Sequence, residues 1–226
     1  MTFFDRLVRE TSPARNSFMS IPILRHAISQ GVDRALYLQY LEQAYHHVRH
    51  TCPLLCAAAS RCGKADRAYQ EALFEYINEE KGHDEWILND IHALGGNPAT
   101  VREGNGDIPV RVMVAYAYYA IERMTPYSLL GMVHVLEGTS VVLATQAAAT
   151  IQSSIGVADY EGGFSYLTSH GSLDQEHVEF FTRVVNQITE TEIQNNIIDT
   201  TTIMYKLFGD VFRSLESGQV DCRDAA

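Results

Sequence analysis

Six side chains able to do acid–base or metal chemistry occupy places where helical periodicity calls for apolar residues. One stretch reads Tyr69, Leu73, Tyr76, Glu80, His83, Ile87, Ile91, Leu94 at alternating three- and four-residue spacing. That is the stripe a helix turns towards a core. Glu80 and His83 lie within it and form Glu-x-x-His, which sets a carboxylate beside an imidazole on one helical face. Glu79, Asp84 and Glu85 fall off the stripe. A second stripe reads His170, Asp174, His177, Phe181, then Val184 or Val185, then Ile188, with three consecutive inward positions titratable. A third reads Leu130, Val133, Glu137, Val141, Ala144, Ala148. Glu137 is its lone acid, and Gly138 beside it leaves space.

Burying unpaired carboxylates is expensive. No Lys or Arg shares these stripes, so buried cations cannot neutralise them. A metal can. Three carboxylates and three imidazoles form an N/O set suited to two first-row ions. The absence of an inward thiolate favours iron or manganese over structural zinc. Glu80, His83, Glu137, His170, Asp174 and His177 are therefore the catalytic and metal-binding candidates. His47 is a further ligand candidate, on the stripe Tyr40, Ala44, His47, Thr51, Leu54. His46 and His50 share with Gln39, Glu42, Gln43 and Arg49 a face that reads as solvated. Tyr76, one turn before Glu80, and Tyr119 are candidates for lining a substrate cavity.

The elements that must position these residues are helices. No strand-type alternation persists, and most of the six prolines stand where the apolar pattern breaks. Stop signals predict helices over Phe3–Arg9, Phe18–Gln30, Asp33–Arg61 (kinked or divided at Pro53), Asp66–Leu94, Pro109–Arg123, Pro126–Ser154, His170–Thr189 and Thr191–Ser217. A loop is expected over Asn97–Asp107. The fold class is all-α: one domain of seven or eight helices over residues 1–226.

Composition narrows the partners. Of 226 residues, 17 are Lys or Arg and 28 are Asp or Glu, giving a net charge of −11. That balance argues against a nucleic-acid or anionic-membrane surface. Four cysteines are too sparse for a disulfide scaffold, and Cys52 and Cys56 read as small core residues. The N-terminus lacks signal-peptide features. The uncharged stretches Met124–Leu136 and Gly138–Ala158 are rich in Ser, Thr and Gln, which favours a buried helix over a membrane span. A reduced, cytoplasmic protein is expected.

Together, Glu80-x-x-His83, the later lone Glu137 and His170-x3-Asp174-x2-His177 resemble the haem-oxygenase-like di-iron oxidases and oxygenases. Those are relatives of thiaminase-II-like and pyrroloquinoline-quinone-synthase-like proteins. The resemblance covers about Phe18 to Ser217. It implies that His83 and His170 ligate one iron, that Glu137, Asp174 and His177 ligate or bridge to the second, and that Glu80 is a further carboxylate. It implies two Fe(II) ions, with manganese possible, and O2 as co-substrate. The implied substrate is a small amino-acid-like or fatty-acid-like molecule of specialised biosynthesis. N-oxygenation, oxidative C–C cleavage and desaturation are the implied reactions, and a homodimer the implied assembly. Many members add a Glu from the helix that here contains His46 and His47, with Glu42 a turn earlier. Thiaminase chemistry lacks its nucleophile, because no Cys lies between Cys62 and Cys222. His26 is the sole candidate for a haem ligand. The alternatives are a metal-free cofactor-synthase-type enzyme and a non-catalytic helical binding protein with a buried polar network.

Overall fold

The computed structural model describes residues 1–156 and 162–223, with side chains described except at Thr145, residues 170–177 and residues 216–223. Among the described residues the chain is all-α, with eleven α-helices and no strand. The count exceeds the expected seven or eight because local breaks divide long apolar runs.

Helix α1 (Phe3–Met19) starts in a capping box. Thr2 Oγ1 accepts from the Asp5 N–H, and the Thr2 N–H donates to Asp5 Oδ2. It runs past its expected end at Arg9 with Pro13 inside it. Helix α2 (Pro22–Gln30) starts on a proline, whose missing N–H costs nothing there, and stops at Gly31. Asp33 caps α3 (Arg34–Val48), its Oδ1 accepting from the Leu36 N–H at 2.8 Å. The chain then bends at Arg49–His50 and re-enters a helix as α4 (Thr51–Arg61), with Pro53 in the first turn, so the expected division is observed.

The helix expected over Asp66–Leu94 is two. Helix α5 (Arg67–Glu80) ends at Lys81, which is extended, and Gly82 (φ +93°) turns the chain into α6 (His83–Ala93). A side chain at 82 would meet no steric obstacle, so glycine is needed there for its left-handed backbone alone. A short helix, α7 (Pro98–Glu103), interrupts the expected loop. Then come α8 (Ile108–Arg123), α9 (Leu129–Ile155), α10 (Ser165–Val185) and α11 (Thr191–Arg223). Helix α10 begins five residues before its expected start, so Gly171 falls in its second turn. Cys56 is exposed and Cys52 half-buried, which corrects their reading as core residues.

Helix α9 is the axis, packed against α2, α10 and α11. Its contact with α11 is close because Gly131 has no side chain: a Cβ there would lie 2.8 Å from the Thr201 backbone nitrogen. The stretch Pro126–Ala144 is long and apolar enough to cross a membrane by length and composition. Here it supplies packing surface to two apolar cores. One gathers α1, α4, α5, α8 and α11 about the first half of α9. The other gathers α3, α6 and the start of α10 about its second half.

His134 on α9 sits among the rings of Phe4, Phe181 and Tyr205. Burial, and then the nearby Arg15 charge, push its pKa down to about 4. The folded protein therefore holds it neutral where the unfolded chain, near 6.5, is protonated. Stability should be fully present above about pH 6.5 and fall as pH drops towards 4, by up to about 3 kcal/mol from this residue. Urea unfolding at pH 7, 5.5 and 4.5 checks this. His134→Leu should flatten the profile relative to the wild type; parallel profiles would exclude His134 as the source.

Candidate metal centre

A cavity of about 180 Å³ opens along the seam between the two cores. His47 of α3, Tyr76 and Glu80 of α5 and Glu137 of α9 all line it, within a wall that is otherwise mostly aliphatic and aromatic. Periodicity put each of these inward, and each is inward.

Helical phase separates the neighbours Glu79 and Glu80 as expected: Glu79 is exposed, whereas Glu80 is 8% exposed. The whole stripe from Tyr69 to Leu94 is buried, despite the break at Lys81–Gly82. Across that break His83 Nδ1 lies 3.1 Å from Glu80 Oε2. Both side chains are buried. An ionised Glu80 can only accept, so in the neutral imidazole it selects the tautomer with the proton on Nδ1 and the lone pair on Nε2. This is how proteins orient an imidazole for a metal. The Trp86 ring stacks on His83 at 4.1 Å and fixes its plane.

Glu137 accepts a 2.7 Å hydrogen bond from the Tyr76 hydroxyl. Burial, then the Glu137 carboxylate, hold the Tyr76 phenol well above its usual pKa, so it stays a donor. Tyr76, expected to contact substrate, is thus also the residue that orients Glu137. His47 is 3% exposed, its ring edge-on to Phe208 of α11 at 5.9 Å.

Two expectations are corrected, and the one candidate for a haem ligand is set aside. Tyr119 is 56% exposed on α8 and does not line the cavity, because α8 turns Ala117, Ala120 and Ile121 to the core instead. His46 is not solvated: it is 7% exposed beneath residues 104–107, and a Cβ at Gly106 would come within 2.9 Å of its ring. His26 is exposed on α2 and does not line the cavity, so it is no axial ligand for a haem bound there.

His170, Asp174 and His177 lie on α10, and their side chains are outside the described residues. What holds the start of that helix is described. Asp90 of α6, 2% exposed, accepts from the Ser165 N–H (3.0 Å), the Ser165 hydroxyl (2.8 Å) and the Tyr166 N–H (2.8 Å). Tyr37 donates to the Gly163 carbonyl just upstream. Asp90 thus caps α10 from another helix. Sequence reasoning missed it, although it lies seven residues after His83, on the same face.

Among the described residues no three His, Cys, Asp or Glu side chains come together tightly enough to hold an ion. The assembled part is the Glu80–His83 pair, with Glu137 and His47 on the same cavity.

Residues 38–209 match the model of a haem-oxygenase-like family described as iron-containing redox enzymes. The chain belongs to that family. Its fold is shared with solved structures of low sequence identity. A protein of unknown function with a haem-oxygenase-like fold from Shewanella denitrificans superposes with a TM-score of 0.88 at 17% identity, covering 99% of this chain and 96% of that one. A TenA homologue from Pseudomonas syringae gives 0.78 at 11%, covering 95% and 93%. Haem oxygenase-1 from Synechocystis, solved with haem, gives 0.76 at 10%, covering 100% and 97%. No curated protein matches the sequence. The donors on the cavity of this family member fit iron: carboxylate and imidazole, with no thiol among the described lining residues.

Proposed function

We propose that the protein is a non-haem di-iron oxidoreductase that uses O2 to oxidise a small organic substrate. The observation that carries this reading is the buried Glu80–His83 pair beside the cavity that Glu137 and His47 also line, in a chain of an iron-containing redox family. Two Fe(II) ions, with Mn(II) as the substitute, would be held by His83, Glu137, His170, Asp174 and His177, with Glu80 and His47 as further donors. Bound there, they would supply the redox and O2 chemistry that no side chain supplies.

The chain's own residues do the rest. Glu80 fixes the His83 tautomer and ring direction. Tyr76 fixes the Glu137 rotamer through one charge-assisted hydrogen bond and keeps its own proton. Leu54, Leu136 and Phe208 line the cavity with groups that exclude water. Asp90 holds the start of the helix that brings in His170, Asp174 and His177.

Anaerobic Fe(II) titration tests the reading. Binding should approach two ions per chain and raise the melting temperature. Metal at a hundredfold excess over its dissociation constant adds about 2.7 kcal/mol. The gain should shrink below about pH 6, where protons compete for imidazole. A content well under one iron per chain after anaerobic loading would refute the di-iron assignment.

A further inference from the structure

A second, much smaller cavity lies behind Tyr76. Its volume is about 10 Å³, room for one water-sized particle. Helices α4, α5, α9 and α10 enclose it. Leu55, Tyr76, Leu129 and Val133 line this cavity and the larger one alike, so a single layer of side chains parts the two. Tyr76 spans that partition. Its ring meets Phe180 edge-on at 5.1 Å, and Phe180 lines the small cavity but not the large one. Its hydroxyl donates to Glu137, which lines the large cavity but not the small one.

The small cavity does not suit water. A buried water makes about three hydrogen bonds to polar groups around it. Among the described lining residues only Tyr69 and Tyr76 carry polar side-chain atoms, and both hydroxyls are engaged elsewhere. Tyr69 donates to the Pro126 carbonyl at 3.1 Å and Tyr76 to Glu137 at 2.7 Å. Burial holds both phenols well above their usual pKa, so neither brings a charge to the wall. What remains is aliphatic and phenyl surface. A dry cavity lined in this way takes small apolar guests. At this size the guest is a gas molecule and not an organic substrate. The enclosure is thinnest at Ala72 of α5, its smallest lining residue, which is half-buried.

We infer that the small cavity is a dioxygen site, an antechamber from which O2 reaches the candidate metal centre past the Tyr76 ring. The binding of O2 stands on the cavity alone; its delivery to a metal rests on the di-iron reading. An organic substrate in the larger cavity would close that route to gas. The small cavity approaches Glu137 from the other side of the partition and stays open. It holds its guest by apolar contact and needs no metal, so the site exists in the metal-free chain. A guest of about methylene size is favoured in such a cavity over water about fourfold.

Methyl NMR of the full-length, metal-free protein under pressurised O2, with N2 as the diamagnetic control, tests this. O2 is paramagnetic and speeds the relaxation of methyl groups beside it. Leu73 and Leu130 line the small cavity alone, whereas Leu7 and Leu41 are equally buried and line neither cavity. The O2-induced rate at Leu73 and Leu130 should exceed that at Leu7 and Leu41 about fourfold. Val184→Ile adds a methyl group to the small cavity from α10 and should bring Leu73 and Leu130 down to the level of Leu7. Leu143, which lines the large cavity alone, should keep its wild-type rate. Ala72→Val fills the cavity from α5 and covers the case in which the first variant does not fold. Equal rates at Leu7, Leu41, Leu73 and Leu130 in the wild type, or enhanced rates that survive in both variants, would overturn the site. Stopped-flow oxidation of the Fe(II)-loaded protein by O2 tests delivery. Both variants should slow it about fourfold, the lost local enrichment, with Fe(II) affinity unchanged. An unchanged rate in both variants would overturn the antechamber role. If the methyl result holds and the protein takes up no iron, the gas site stands and the di-iron reading fails.

Discussion

Glu80→Ala should weaken Fe(II) binding more than a hundredfold, while Glu79→Ala should leave it within about twofold. The two carboxylates are adjacent in sequence and differ only in helical phase. Glu80 is buried against His83 Nδ1, and Glu79 is exposed. Groups that merely orient a metal-bound imidazole are typically worth 10–100-fold in affinity. Glu80 both orients His83 and faces the cavity, so its loss should exceed that range. Glu80→Gln keeps an oxygen that accepts from Nδ1 but removes the charge. It should fall between the other two variants, restoring ring orientation without restoring the anion. Equal losses for Glu79→Ala and Glu80→Ala, measured by competition with a coloured chelator, would refute the phase argument for α5.

Asp90→Ala should cost about 3 kcal/mol of stability, most of it expressed locally at the start of α10. The carboxylate accepts from two backbone N–H groups and one hydroxyl at a helix N-terminus, where it also meets the positive end of the helix dipole. A lost N-cap alone costs about 0.5–2 kcal/mol. Here the donors are buried or partly so, and stranding them adds about 1–3 kcal/mol. Asp90→Asn retains one acceptor and should cost about half as much. Hydrogen exchange should speed up at Ser165 and Tyr166 well before the rest of the chain. Metal affinity should fall with it, because His170, Asp174 and His177 ride on the helix that this cap starts. A loss under 1 kcal/mol with unchanged exchange would show that α10 is held by packing alone.

The sequence by itself determined the fold class and the inward phase of Glu80, His83, Glu137 and His47. Periodicity is enough for both, because burial follows helical phase and phase is fixed by spacing. Every residue of the stripe from Tyr69 to Leu94 is buried, and Glu79 is not. The helix boundaries at Gly31 and Asp33 were equally legible, since caps are local chemistry. What only the tertiary structure decided falls into two kinds. The first is where helices break. A glycine in a helix costs about 1 kcal/mol, so Gly82 was tolerable in a continuous helix, and packing chose the turn. The second is which side chains meet across elements. The bond from Tyr76 to Glu137, the capping of α10 by Asp90 and the burial of His46 under residues 104–107 each join segments separated by 58 or more positions. Tyr119 failed for the complementary reason: an aromatic on an apolar helix looks inward until the neighbouring helices establish which face is covered. Phase is a property of one helix. Contact is a property of two, and no spacing rule carries it.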